Sequence, residues 1–192
     1  MGIDIDQAIM QAARELVLES GIRGTTMSAV ARGAKISRPT LYARFSGKDA
    51  VISKLLTHEL IDVTMSVQRQ PATGPQLVDA LLEAARMVAV HPVITTIVEE
   101  QPELLGTYFF RRLGESQIRI IATLEHMIET VQQQAPETIC PRSAHALATM
   151  CCSMLQHSAL SSRIFAPILR AHQPSGTWDQ ELRLILEGYL LP

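Results

Sequence analysis

Aromatic residues are scarce in this chain, 4% of 192 residues, and there are only three cysteines, Cys140, Cys151 and Cys152. Three cysteines with no CxxC pair exclude a disulfide-stapled scaffold and a dithiol redox motif, and suit a reducing compartment. No apolar run approaches the roughly 18 to 20 residues of a bilayer span. The first residues carry Asp4 and Asp6 where a signal peptide carries basic groups, and Asp6 also stands where a myristoylation motif asks for Ser or Thr. The expectation is a soluble, cytoplasmic protein without a membrane partner. No nucleotide-binding loop, GxSxG, HExxH or CxxC occurs, which leaves catalysis without a foothold and calls for no cofactor.

What is present is apolar mass and helical spacing. Apolar residues make up 47% of the chain, enough for a sizeable core, and the β-branched ones fall mostly at helical intervals. The fold class is all-α. Net charge is only −2, but it is unevenly placed. Residues 21–48 hold Arg23, Arg32, Lys35, Arg38, Arg44 and Lys48 and no acid, a charge of +6, whereas residues 49–192 carry 10 basic and 15 acidic groups, or −5. A basic block on an acidic body is the charge pattern of a nucleic-acid-facing module.

The helices can be placed one by one. Ile9, Ala12, Ala13, Leu16 and Val17 line one face of a first helix that stops at Ser20-Gly21. Thr25-Thr26 cap a two-turn helix with Met27, Val30, Ala31 and Ala34 on its apolar side. After Lys35-Ile36, Ser37 caps a third helix, with Pro39 in its first turn and Leu41 and Phe45 on its buried side. Lys48 to about Arg69 reads as a long helix shared by both halves of the chain, which divide into residues 1–50 and 51–192. Further helices are expected over Gln76 to Val90, Val93 to Glu99, Glu103 to Gln133, Ser143 to Leu169 with a bend near Pro167, and Trp178 to Leu190.

Two short capped helices joined by a tight turn, surrounded by positive charge, specify a helix-turn-helix. Arg38, Thr40 and Arg44 are placed to meet base edges. The Tyr42 hydroxyl and the Lys48 ammonium suit phosphates, Lys48 with a helix N-terminus behind it. The run from Thr25 to Asp49 closely resembles the DNA-binding signature of the TetR family of bacterial transcriptional regulators. The resemblance covers residues 8 to 56. It implies a homodimer of about nine helices per chain whose larger domain binds a small molecule that releases the protein from a near-palindromic DNA operator, usually as a repressor. Carried over by position, Thr26, Ser37, Arg38, Thr40, Tyr42, Arg44 and Lys48 are the expected DNA contacts, and Lys35 and Pro39 complete the candidate set. Lys35 departs from the family pattern, which commonly has Gly there; a left-handed Lys costs on the order of 1 kcal/mol. The competing reading is a helical ligand-binding or scaffold protein that carries the motif without using it.

In the larger half, Ala144, Ala148, Cys151, Leu155, Ser158 and Ser162 form a stripe of mostly small groups, and Trp178, Leu182, Ile185 and Tyr189 another. The resemblance implies that two such helices from each chain form a dimer interface; the same spacing equally suits helices facing their own core. Met87, His91, Ile94, Tyr108, Met127, Met154 and His157 are candidates for lining a pocket for an apolar or amphipathic effector, or else for ordinary core. His145, Cys151, Cys152 and His157 do not make a metal set: at about 100° per residue His157 lies far around the helix from His145 and Cys152.

Overall fold

A computed structural model describes residues 4–67, 70–104, 114–173 and 175–192. These residues form helices α1 (Ile5–Gly24), α2 (Met27–Gly33), α3 (Arg38–Tyr42), α4 (Lys48–Ser66), α5 (Gly74–Val90), α6 (Pro92–Glu100), α7 (Glu115–Gln134), α8 (Ala144–His172) and α9 (Trp178–Leu190), with a 3-10 turn at Pro136–Thr138. The all-α expectation holds, and no single described helix is long and apolar enough to cross a membrane.

The described residues of 1–62 and 90–116 form one compact unit, and those of 63–89 and 117–192 a second. The first unit therefore contains α6 as well as α1 to α3, and the division falls inside α4. Its core is built from Ile9, Ala13 and Val17 of α1, Val30 and Ala31 of α2, Leu41 of α3, Val51, Ile52 and Leu55 of α4 and Val93, Ile94 and Ile97 of α6, all essentially removed from water. In the second unit α8 packs on α9. There Trp178 stacks on Phe165 at 6.3 Å and donates its indole N–H to Ser158 Oγ at 2.9 Å. Thr177 and Gln180 close a reciprocal capping box at the start of α9.

Three boundaries differ from the sequence reading. α1 breaks at Gly21 as expected, at φ 67° and ψ −178°, but a further helical turn runs on to Gly24; the carboxylate of Glu100 accepts the Ile22 N–H at 3.0 Å, and so satisfies an amide that the break frees. The helix expected from Glu103 to Gln133 is not continuous: Gly114 is non-helical, with residues 102–104 helical before it and Glu115–Gln134 helical after it. α8 continues through Pro167 to His172, three residues beyond the expected end.

Candidate nucleic-acid interface

The turn between α2 and α3 is closed by hydrogen bonds that the sequence dictates locally. Thr26 Oγ1 accepts the Ala29 N–H at 3.2 Å and caps α2. Its neighbour Thr25 is buried and donates its hydroxyl to the Gly21 carbonyl at 2.9 Å, so adjacent threonines end one helix and begin the next. α2 finishes in a Schellman motif: the Ile36 N–H reaches the Ala31 carbonyl at 3.0 Å and the Lys35 N–H the Arg32 carbonyl at 3.1 Å. That motif needs a left-handed residue after the cap, and Lys35 supplies it with φ 55°. Ser37 Oγ then accepts the Thr40 N–H at 3.1 Å and shares a 2.7 Å bond with the Thr40 hydroxyl. Pro39 occupies the first turn of α3, where its missing N–H leaves no bond unmade.

α3 is only five residues long and does not stand by propensity. Leu41, fully buried, fastens it to α2 and the core beneath. Around it Ser37, Arg38, Pro39 and Tyr42 are exposed to solvent, with Thr40 half-exposed. Gly33 permits the close approach of α2 to α1, since a Cβ there would lie 2.9 Å from the Ala12 Cβ. Arg44 and Lys48 follow on the same side of the motif in sequence and already have protein partners: Arg44 Nη1 lies 2.6 Å from Asp6 Oδ1, and Lys48 Nζ donates to the Ile22 carbonyl at 3.4 Å. The nine candidate DNA-contact residues thus lie on or beside α2, α3 and the start of α4, in one compact unit.

Behind this surface the first unit contains a buried charge network. Glu59 of α4, 4% exposed, receives Arg14 Nε of α1 at 3.3 Å and faces His91 Nε2 at 3.3 Å just ahead of α6. With Nε2 donating to the carboxylate, His91 Nδ1 is the unprotonated nitrogen, and it is buried without a partner. Burial holds the His91 imidazole below its ordinary pKa, against the upward pull of Glu59 and Asp62 and reinforced by Arg14.

The pocket and dimer candidates are distributed differently. His91 and Ile94 belong to the first unit, where Ile94 is fully buried core. Met87, Met127 and Met154 are half-buried in the second unit, and His157 is exposed there, its Nδ1 donating to the Ser153 carbonyl of its own helix at 2.8 Å. Tyr108 lies outside the described residues. Of the two stripes, Ala148, Cys151, Ser158 and Leu182 are buried within the chain itself, while Ala144, Leu155, Ser162, Trp178 and Tyr189 are partly covered and Ile185 is exposed. Burial pushes the Cys151 thiol up to about 12 and the Cys152 thiol to about 11, so both stay protonated in the core. Tyr189 receives Arg142 over its ring at 4.6 Å. Besides Met150 near the start of α8, the residues that leave apolar surface uncovered on these helices cluster toward the other end of α8 and on α9: Ile164, Phe165, Ile168, Leu184 and Ile185. Ile164, Phe165, Ile168 and Leu184 were not singled out from sequence, although 164, 165 and 168 stand at helical spacing.

Comparison with known proteins agrees with this geometry. Residues 9–55 match the family of bacterial regulatory proteins of the tetR type. An uncharacterized HTH-type transcriptional regulator of Mycobacterium tuberculosis, Rv2250c, is 28% identical over 187 residues, spanning 97% of this chain and 95% of that one. In fold, a TetR-family transcriptional regulator from Pectobacterium atrosepticum superposes with a TM-score of 0.73 at 18% identity, covering 97% of this chain and 94% of that one. The R. erythropolis transcriptional repressor QsdR, of the TetR family, superposes with a TM-score of 0.70 at 13% identity over the same shares of the two chains.

Proposed function

We propose how this chain, a transcriptional regulator whose helix-turn-helix belongs to the TetR family of bacterial regulatory proteins, works: as a homodimeric repressor released from DNA by a small molecule. The observation that carries the DNA-binding half of the reading is α3. A five-residue helix anchored by one buried leucine, with Ser37, Arg38, Pro39 and Tyr42 exposed amid six cations and no acid from residue 21 to 48, is built to be read from outside. Two copies, in successive major grooves about 34 Å apart, make a near-palindromic operator the natural target. Arg38 and Thr40 take base edges; Arg44, expected from sequence to join them, stands two residues beyond α3 against Asp6 and is assigned instead to the phosphates, which it holds with Thr26, Lys35, Tyr42 and Lys48.

The exposed apolar residues of α8 and α9, Ile164, Phe165, Ile168, Leu184 and Ile185, support dimerisation through those helices, where two chains would meet as a four-helix interface. The half-buried methionines Met87, Met127 and Met154 suit an apolar or amphipathic effector, because thioether side chains adapt to irregular shapes. α4, whose residues fall in both compact units, is the element through which effector binding would reach the DNA-facing helices.

The test is a fluorescence-anisotropy titration of the protein with the DNA upstream of its own coding region, at two salt concentrations and with random duplex as competitor. Binding that survives the competitor is the expected result. Failure to bind any duplex in a salt-dependent way would instead favour a helical ligand-binding protein with an unused motif.

A further inference from the structure

We propose that Asp6 is a built-in competitor for DNA: its carboxylate occupies Arg44 in the free protein and has to be displaced before that guanidinium can take a phosphate. The proposal rests on reading residues 26–48 as the DNA-facing surface. In sequence that surface has no acid, since residues 21–48 hold six cations and neither Asp nor Glu. The fold supplies one. Asp6, thirty-eight residues away, sits in the first turn of α1, where the positive end of the helix favours a carboxylate, and its Oδ1 lies 2.6 Å from Arg44 Nη1. Arg44 is held two residues beyond α3 by its N–H bond to the Leu41 carbonyl at 3.1 Å.

Both side chains stay substantially exposed, 41% for Arg44 and 58% for Asp6, so the pair contributes little to folding. Its consequence lies in DNA binding. A cation that meets a phosphate releases a condensed counterion from the duplex, and each such release steepens the dependence of log K on log salt by about 0.9. When the cation first has to leave a carboxylate, the freed carboxylate stands beside a polyanion and takes up a cation in return. The two ion movements cancel, and Arg44 adds contact without adding salt dependence. Asp6 therefore lowers affinity for every duplex alike and leaves the discrimination carried by Arg38 and Thr40 untouched.

The experiment is a double-mutant cycle on the full chain with Asp6→Asn, Arg44→Gln and the double variant, plus Asp4→Asn. The last removes the same charge two residues away and keeps an N-cap that accepts the Asp6 N–H. Dissociation constants are measured on operator and random duplex across a salt series, with thermal melts to show that the variants fold. Asp6→Asn is expected to tighten binding to both duplexes about two- to fivefold at low salt and to steepen the salt slope by about 0.9. In the Arg44→Gln background the slope change disappears. Asp4→Asn gives a smaller, slope-neutral effect. Weaker binding by Asp6→Asn would make Asp6 a positioning group for Arg44 and overturn the proposal, as would an effect that persists undiminished without Arg44. Absence of salt-dependent DNA binding by the wild-type protein would overturn the DNA-binding reading itself, and the two failures are distinguishable on the same titration.

Discussion

Lys35→Gly should make the protein more stable while making it a weaker DNA binder. Lys35 holds the left-handed position of the Schellman motif at φ 55°, where a residue with a Cβ meets its following carbonyl at a cost of roughly 1–2 kcal/mol. Glycine removes that strain but adds unfolded-state freedom worth about 0.5–1 kcal/mol. The net gain is about 0.7 kcal/mol, or a rise in Tm of about 1–3 °C for a chain of this length. Lys35→Ala is the informative partner, because it deletes the same ammonium and keeps the strained backbone. Both variants lose a charge beside α3, so both should reduce the salt slope of DNA binding by about 0.9. Denaturant unfolding at one fixed protein concentration, paired with anisotropy, reads both quantities. Should the glycine variant prove no more stable than the alanine variant, the account of this turn is wrong. Should both retain the wild-type salt slope, Lys35 makes no phosphate contact.

Other perturbations reach different parts of the molecule. Gly74→Ala should destabilise by about 2 kcal/mol or more in denaturant unfolding, since a Cβ at the start of α5 would overlap the Thr138 carbonyl oxygen, a backbone atom that cannot swing aside. His91 is held below its ordinary pKa of 6.5, so just below that pH the unfolded chain binds a proton that the folded protein does not. Stability is therefore expected to fall as pH drops from 6.5 toward the folded-state value, and His91→Gln should flatten that part of the Tm-against-pH curve; an unchanged curve would refute the assignment. Phe165→Glu with Ile168→Glu on α8 should shift the protein toward monomer in sedimentation, without loss of helical signal, if that face joins two chains; an unshifted dimer would send the interface elsewhere.

The features legible in the sequence are those fixed by neighbours along the chain. Thr26 and Ser37 announce themselves as caps because the amides they accept lie three residues ahead, and Leu41 as an anchor because its spacing sets it against α2. Lys35 stands out only against the TetR pattern, which commonly has Gly at that turn. The contacts that escaped notice act across long separations. Glu100 reaches an amide 78 residues away, Glu59 meets Arg14 from 45 residues away, and Asp6 meets Arg44 across 38. No local periodicity encodes such pairs. The stripe on α8 marks a limit of another kind: small residues at helical intervals show that something packs closely, and Ser158 turns out to receive the indole of Trp178 from the same chain.

The most direct test of the central claim, that the exposed turn of α3 reads DNA sequence, is the ratio of dissociation constants on operator and random duplex for wild type and Arg38→Ala, measured side by side in one buffer. A base-reading Arg38 predicts a loss of about 1–3 kcal/mol on the operator and little change on random duplex. An equal loss on both would place Arg38 on the phosphates and contradict the account.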